Sequence, residues 1–336
     1  MHNVQMPRDY IGYGKTPYDP KWPDNKKVAL SIVLNYEEGA ENCLLHSEED
    51  NHSEALLSEI IGCKPYENER HINVESMYDF GARVGFWRLH RLLTSKLQDK
   101  VTVFACGMAL ERNREASLTM YNSGWEIASH GYRWIDLQNT DEKTEKDDIV
   151  KTVKVHQKLF GKSPIGIYQG KPNLNSRLRI YDVERSNEDI NFLYSNDSYS
   201  DELPYWISDT EREISGKPHL IIPYSLTEND MRFVAPNSYA SGREFANYLI
   251  DHLSFLIDEV KNGYTKGNMM SVGLHCRIVG RAGRAKGLEH FLNYVNLVKD
   301  DIWICRREEI AKHWYENHWK KEFGPYKDYF INYKIE

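Results

Sequence analysis

Two adjacent carboxylates and two separate histidines are the residues of this sequence best suited to acid–base chemistry. Glu37 and Glu38 come after the apolar residues 28–34, whereas His130 and His275 each come after another apolar stretch. Together they could supply a general base, a general acid and a group that polarises a carbonyl. If the fold does not bring them together, the glutamates are solvated loop residues and the histidines are structural. The distinction depends on the elements that carry them.

The surrounding elements alternate between strands and helices, as they do in α/β enzymes. Short apolar runs predict strands, and longer segments with helical spacing predict helices. We expect strands at residues 28–34, 101–106, 125–129, 165–168, 192–197, 220–225, 269–275 and 302–305, and helices at residues 86–93, 114–123, 141–160, 242–260 and 285–297. This order predicts a parallel sheet in the form of a distorted or incomplete (β/α) barrel. The carboxyl ends of its strands would bring the four side chains to one rim.

One catalytic domain is expected, because no linker, low-complexity run or internal repeat divides the 336 residues. We assign residues 28–314 to the barrel, residues 1–27 to an N-terminal arm and residues 315–336 to a C-terminal aromatic tail. Within the barrel, residues 54–61 are interpreted as a short helix and residues 179–191 as an enlarged loop. The aromatic side chains of the tail suit subunit packing, so a homo-oligomer is expected.

Composition argues against several classes of partner. The net charge is −7 and no basic stripe is present, which argues against nucleic acid and anionic membrane surfaces. No apolar window approaches the length of a membrane span. The five cysteines are odd in number and widely spaced, and residues 1–9 lack a basic region followed by an apolar run. We therefore expect a cytoplasmic protein with reduced thiols.

Several segments of the chain together resemble one enzyme family. They are residues 34–39 (LNYEEG), 129–136 (SHGYRWID), 168–171 (YQGK), 229–233 (NDMRF) and 273–281 (GLHCRIVGR). These segments resemble the polysaccharide deacetylases of the NodB homology superfamily, and most closely its cofactor-independent allantoinases and their deacetylase-like relatives. The resemblance covers nearly the whole chain. It implies a barrel of the NodB type and hydrolysis of a carbon–nitrogen bond in an amide.

The resemblance also implies where a metal would bind. In the metal-dependent deacetylases, two acids and two histidines four residues apart form the site. Here Glu37 takes the position of the base, Glu38 and His130 take ligand positions, and Trp134 replaces the second histidine. Indole cannot coordinate a metal, and catalytic zinc normally has three protein ligands. No cofactor is therefore expected, and zinc held weakly by Glu38 and His130 is the fallback.

Without a metal, acid–base groups must activate water and stabilise the oxyanion. We expect Glu37 or Glu38 to be the base, His275 to protonate the leaving nitrogen and His130 to orient water or polarise the carbonyl. The residues expected to contact substrate are Tyr36, Trp134, Tyr168, Gly170, Lys171, Asp197, Trp206, Asn229 and Asp230.

Two basic features bear on what the site binds. Lys171 stands where the family motif normally carries arginine, which keeps the charge but loses the planar fork and weakens the case for allantoin. Arg277, Arg281 and Arg284 form a basic cluster after the last catalytic strand. We interpret the cluster as a salt-bridged loop, with anion binding as the alternative.

Three functions remain open from the sequence. The first is opening of the allantoin ring to allantoate, a step of purine catabolism. The second is N-deacetylation of chitin or a related N-acetylated glycan, and the third is a catalytically silent glycan-binding module. Retention of both acids and both histidines favours an amide hydrolase over the silent module. The missing metal ligand at Trp134 favours a small amide substrate over the glycan.

Overall fold

Strands and helices alternate along the chain in a computed structural model that describes residues 8–48, 50–235 and 239–324. The strands are β1 Val28–Tyr36, β2 Thr102–Ala105, β3 Glu126–Ser129, β4 Gly166–Ile167, β5 Tyr194–Ser195, β6 Tyr205–Trp206, β7 Leu220–Ile221, β8 Asn268–His275 and β9 Ile302–Ile304. The helices are α1 Ile72–Phe80, α2 Phe86–Leu97, α3 Gly107–Arg112, α4 Arg114–Asn122, α5 Glu142–Phe160, α6 Ser176–Ser186, α7 Asp209–Ser215, α8 Gly242–Lys261, α9 Ala282–Leu297 and α10 Arg307–His318. A π-helical turn, Gly81–Gly85, joins α1 to α2, and 3₁₀ turns occur at Pro23–Asn25, Asp230–Phe233 and Lys321–Phe323.

Across the described ranges, nine strands form one sheet in the order β6-β7-β5-β4-β3-β2-β1-β8, and β9 also pairs with β1. The pairs are parallel except for β6 with β7. Parallel strands need long crossover connections, which the helices supply. The sheet curls into a barrel that does not close. It is incomplete because the edge strands β6 and β8 do not pair with each other among the described residues. The predicted fold class is confirmed.

The two longest strands, β1 and β8, are buried along their whole length. Every residue of β1 and of β8 is buried, and the two strands pair from Val28 with Asn268 to Asn35 with His275. Helices α2, α8 and α9 cover them with side chains such as Leu89. Strands buried on both faces appear in sequence as continuous apolar runs, which is why these two were predicted almost residue for residue.

The register brings the carboxyl ends of the first strands to one level. Tyr36 of β1 pairs with Ala105 of β2, and Ala105 pairs with Ser129 of β3. On the other side of β1, Asn35 pairs with His275 at the end of β8. The residues that follow β1 and β3 therefore leave the sheet beside the end of β8.

One buried arginine ties the two sides of the incomplete barrel together. Arg307 begins α10 and is fully buried. Its guanidinium donates hydrogen bonds to Asn196 Oδ1, Ser271 Oγ and the carbonyl oxygens of Ile222 and Pro223. These groups belong to β8 and to the segments after β5 and β7. A single side chain thus connects β8 with the segments after β5 and β7 on the other side of the barrel.

Two predicted segments are wrong. Residues 54–61 form turns rather than a helix, because the Glu54 carboxylate accepts hydrogen bonds from the backbone N–H groups of Ala55 and Leu56. Such local bonds compete with helix formation. Residues 179–191 were predicted as a loop, but most of them lie in or beside α6, whose buried Ile180 and Val183 pack in an apolar cluster.

The structure bears on some of the other predictions and leaves the rest untested. None of the five cysteines, all within the described residues, forms a disulfide. No helix in the described part of the chain is long and apolar enough to cross a membrane. The division at residues 27 and 314 stays a prediction, as does the homo-oligomer. The aromatic tail residues Tyr326, Phe330 and Tyr333 lie outside the described residues.

Candidate active site

Glu37 lies at the centre of the cluster of predicted catalytic side chains. Its Oε1 is 3.2 Å from His130 Nε2 and 3.5 Å from His275 Nε2. Its Oε2 is 2.8 Å from Nη1 of Arg277. These four side chains are each 5% exposed or less. One carboxylate therefore contacts two imidazoles and a guanidinium inside the rim.

His275 is oriented from behind by a buried carboxylate. Its Nδ1 lies 2.6 Å from Asp230 Oδ1, and because a carboxylate accepts, this nitrogen donates and Nε2 is left facing Glu37. Asp230 Oδ2 also accepts the backbone N–H groups of His275 and Val279. Asn229, predicted to contact substrate, instead caps the turn that carries Asp230 by accepting the Met231 N–H. Asp230 therefore supports His275 and does not face an open cavity, since it is fully buried.

His130 is held by the segment that follows β4. Its Nδ1 donates to the Tyr168 carbonyl oxygen at 2.8 Å, and its ring stacks on the Tyr168 ring with centroids 4.9 Å apart. Asp197 accepts the backbone N–H groups of Gln169 and Gly170, which fixes this segment. Gly170 has a φ of +79°, and a Cβ there would lie 2.8 Å from His130 Cε1. Only glycine permits this backbone to approach the imidazole so closely.

Glu38 is packed between the backbone of two segments. Its Oε1 accepts the backbone N–H of Arg277 and its Oε2 accepts the backbone N–H of Glu37, both at 3.2 Å. The π-helical turn passes over it, and a Cβ on Gly81 would lie 2.5 Å from Glu38 Oε1. π-helical turns occur frequently at functional sites. Both oxygens of Glu38 are thus engaged by backbone donors.

Arg277 is the residue of the site that the sequence interpretation missed. Its guanidinium is 2% exposed and lies over the rings of Tyr78, at 4.3 Å, and Trp134, at 5.2 Å. Arg281 and Arg284 lie elsewhere, over Phe80 and against Glu59 respectively. The three arginines therefore do not act as one cluster. The available signal was position, because Arg277 comes two residues after His275 at the same strand end.

Burial and charge separate the proton affinities of these groups. Burial alone would raise the pKa of Glu37, but Arg277, His275 and the imidazole hydrogen bonds hold it well below its usual range. Burial, with the charge of Glu37, raises the pKa of Glu38 against the opposing effect of Arg277. Burial would lower the pKa of His275, yet Asp230 and Glu37 raise it to about 9. At neutral pH the site therefore holds a Glu37 carboxylate beside a His275 imidazolium.

The other residues expected to contact substrate lie at different distances from this cluster. Lys171 Nζ is 3.5 Å from the centre of the buried Trp134 ring, and burial lowers its pKa. Lys171 also lines a surface cavity of about 570 Å³ together with Asp136, Gln138, Arg179 and residues 172–175. Tyr36 is buried against Phe86 in the main core.

Trp206 lies away from the rim. Its Nε1 donates to the carbonyl oxygen of His318, and its ring contacts Tyr315, Trp319 and Phe323. None of these contacting residues is one of the four predicted catalytic residues. The structure therefore places Trp206 with the C-terminal helix and not with the rim histidines.

The side chains do not fit a divalent metal. Among the described residues, no group of three histidine, cysteine, aspartate or glutamate side chains is arranged to hold an ion. Trp134 takes the place of a third ligand beside Glu38 and His130, and Arg277 Nη1 lies 2.8 Å from Glu37 and 3.7 Å from Glu38. A fixed positive charge against both carboxylates opposes a second cation. The side chains of this site therefore do not suit a divalent metal ion as a catalyst.

Comparisons with known proteins agree with this architecture. The sequence profile described as polysaccharide deacetylase matches residues 68–173. A Schizosaccharomyces pombe protein assigned to the polysaccharide deacetylases is 35% identical over 331 residues, which cover 95% of this chain and 98% of the relative.

Two solved structures extend the comparison. A crystal structure of a probable polysaccharide deacetylase from Pseudomonas aeruginosa PAO1 has 43% identity and a TM-score of 0.85, covering 93% of this chain and 99% of the other. The crystal structure of PuuE allantoinase has 40% identity and the same TM-score, covering 94% and 99%. Both similarities extend over nearly the whole chain.

Proposed function

Because the chain belongs to the polysaccharide deacetylase family and is a hydrolase of carbon–nitrogen bonds, we propose that it opens the ring of allantoin to allantoate without a metal. The observation that carries this proposal is Glu37, whose carboxylate contacts two imidazoles and the guanidinium of Arg277. The similarity to PuuE allantoinase over nearly the whole chain supports the substrate. Deep burial of the catalytic side chains also suits a small substrate better than a polymer.

Glu37 is the better placed of the two carboxylates to act as the base. Its Oε2 forms no hydrogen bond with the described residues, whereas both oxygens of Glu38 accept backbone N–H groups. A water molecule can therefore hydrogen-bond to Glu37 Oε2 beside its ion pair with Arg277, whereas at Glu38 it would displace a backbone donor. The low pKa of Glu37 keeps it ionised at neutral pH, at the cost of lower basicity. Once His275 has given its own proton to the leaving nitrogen, its Nε2 can accept the proton that Glu37 holds.

The reaction follows from these proton positions. Glu37 accepts a proton from water as the oxygen attacks the ring carbonyl, and the π electron pair of that carbonyl moves onto its oxygen. When the pair returns, the carbon–nitrogen bond breaks and the nitrogen takes the Nε2 proton of the His275 imidazolium. Glu37 and His275 are 3.5 Å apart, so the proton gained from water can then pass to His275. The new carboxylic acid releases one proton to solvent, and both side chains return to their starting state.

His130 positions the attacking water in this scheme. Its Nδ1 is committed to the Tyr168 carbonyl oxygen, so the ring cannot turn without losing that hydrogen bond. Its Nε2 faces the same Oε1 of Glu37 that His275 faces. Fixed orientation of both imidazoles around one oxygen limits the directions from which water can approach the carbonyl.

N-deacetylation of an N-acetylated glycan is the second candidate. It is favoured by the relatives in Schizosaccharomyces pombe and Pseudomonas aeruginosa, which carry the deacetylase description. The same base and acid would release acetate from a sugar amide. A glycan would need an extended groove, and the catalytic side chains are 5% exposed or less.

One assay separates the two substrates and the silent alternative. Purified protein treated with a chelator is offered allantoin or chitin oligomers, and allantoate and acetate are measured. Allantoate formation that survives chelation supports the proposal. Acetate release in place of allantoate would refute the substrate, and activity lost on chelation and restored by zinc would refute the metal-free mechanism. No product from either substrate would favour the glycan-binding module.

A further inference from the structure

We infer that Arg277 is a catalytic residue whose guanidinium binds the oxygen of the scissile carbonyl and takes the place of a divalent cation. The inference rests on the proposed amide hydrolysis and assigns the positive charge that this reaction needs. In metal hydrolases, a bound ion polarises the carbonyl and stabilises the negative oxygen that forms. In this chain a permanent cation already lies beside both carboxylates.

The geometry places that cation beside both carboxylates. Arg277 Nη1 is 2.8 Å from Glu37 Oε2 and 3.7 Å from Glu38 Oε1. The guanidinium also lies over the rings of Tyr78 and Trp134. Aromatic faces attract a cation without using its N–H groups. The charge is thus stabilised while its donors remain available.

The availability of those donors is the unusual feature. Nε, Nη1 and Nη2 of Arg277 are all buried, and none forms a hydrogen bond with the described residues. Nη1 is held in an ion pair with Glu37 Oε2 at 2.8 Å, whereas Nε and Nη2 have no acceptor among the described residues. A buried guanidinium normally uses its planar fork on an acceptor, as Arg307 does on four oxygens. Unused donors beside the base indicate that the missing acceptor is the substrate.

The step follows from the position of the charge. As water adds, the π electron pair of the carbonyl becomes a lone pair on an oxygen that accepts an N–H from Arg277. That oxygen is more negative in the tetrahedral intermediate than in the substrate, so the interaction is stronger there and accelerates the step. When the intermediate collapses, the pair returns and the leaving nitrogen takes its proton from His275. Arg277 keeps all its protons throughout.

The test compares zinc binding with turnover in three variants. Arg277→Ala removes the cation, Arg277→Lys keeps the charge without the fork, and Arg281→Ala is the matched control from the same segment. Calorimetric titration with zinc should show at least tenfold tighter binding by Arg277→Ala than by wild type, and no gain in the other two. On allantoin, we expect kcat of Arg277→Ala to fall about 10²–10³-fold with a smaller change in KM. Added guanidinium should restore part of the lost rate, because it can occupy the vacated space.

The outcomes are distinguishable from those of the proposed function. Zinc binding that changes as expected in a protein inactive on allantoin refutes the substrate and supports the role of Arg277. Turnover of allantoin by wild type and by Arg277→Ala at similar rates overturns the inference alone. Wild type that binds zinc at micromolar concentrations also overturns it and needs no variant. If Arg277→Ala does not fold by circular dichroism, Arg277→Lys decides: kcat equal to wild type contradicts binding by the fork.

Discussion

Replacing Asp230 by asparagine tests how the acid of the site is charged. The change keeps the size of the side chain and removes the negative charge that lies 2.6 Å from His275 Nδ1. Asp230 and Glu37 together raise the pKa of His275 from 6.5 to about 9, and Asp230 contributes more than Glu37. The full shift corresponds to roughly 3 kcal/mol in favour of the imidazolium. Asp230→Asn should remove more than half of it.

The expected result is a displaced basic limb in the pH–rate profile. In wild type, kcat/KM should be constant near neutral pH and fall as the pH rises through about 9, where His275 loses its proton. In Asp230→Asn the fall should begin more than one pH unit lower. At pH values below this fall, kcat/KM of Asp230→Asn should also be lower than that of wild type, because the asparagine amide can orient the imidazole in the wrong tautomer.

Folding stability should respond with the same sign. The folded-state pKa of His275 is raised, so its protonation stabilises the native protein fully below pH 6.5, and this contribution is lost as the pH rises through about 9. Asp230→Asn should flatten this dependence. It should also lower stability by about 1–3 kcal/mol at any pH, because an amide has one acceptor oxygen, whereas Asp230 uses Oδ2 for two buried backbone N–H groups and Oδ1 for His275 Nδ1.

The measurement is kcat/KM for allantoin between pH 6 and 10.5, with nitrogen NMR of His275 as a readout that does not depend on substrate. The control is Asp251→Asn, which removes the same charge from an exposed position of α8. A basic limb and a His275 titration that coincide in wild type and Asp230→Asn would refute the reasoning. A shift of equal size in the control would also refute it, because the effect would then be a general one of net charge.

Three further substitutions test other parts of the site. Glu37→Gln should lower kcat at least 10²-fold while substrate binding measured by calorimetry persists; unchanged kcat would exclude Glu37 as the base. Gly170→Ala should lower both stability and kcat more than Gly216→Ala, because both positions have positive φ but only the first Cβ would meet His130. Equal effects in thermal denaturation and turnover would remove that contact from the account. Lys171→Met should raise KM more than it lowers kcat, because Lys171 lines the cavity; a loss confined to kcat in steady-state kinetics would contradict this.

The buried strands and their ends could be predicted because they depend on local sequence. Runs buried on both faces, such as β1 and β8, are apolar throughout, and a parallel register brings their ends together. The positions of Glu37, His130 and His275 follow from that register. The start of α1 at Ile72 could not be predicted, because only Val74 and Tyr78 of this helix are buried and its sequence shows no apolar stripe.

The partners of the catalytic groups could not be predicted, because they depend on side-chain direction after a strand has ended. Asp230 meets His275 across 45 positions of sequence, and its turn resembles any other Asn-Asp turn. Arg277 points toward Glu37 whereas Arg281, four residues later, lies over Phe80. Sequence spacing does not distinguish these two directions. The departure at Trp134 was visible, but its role as a surface beneath two cations required the coordinates.

The hydrogen bonds of Arg307 can form only after the catalytic residues have been synthesised. Glu37 and His130 leave the ribosome early, but His275 and Arg277 follow only after most of the chain, and Arg307 after them. Until Arg307 is present, no guanidinium connects β8 with the segments after β5 and β7. We therefore expect nascent chains that end between Arg277 and Arg307 to hold all the catalytic groups on a sheet whose two sides are not yet connected. Hydrolase activity should appear only once Arg307 has been synthesised and has folded into place, so a chain terminated just before it would be inactive although it contains every rim residue.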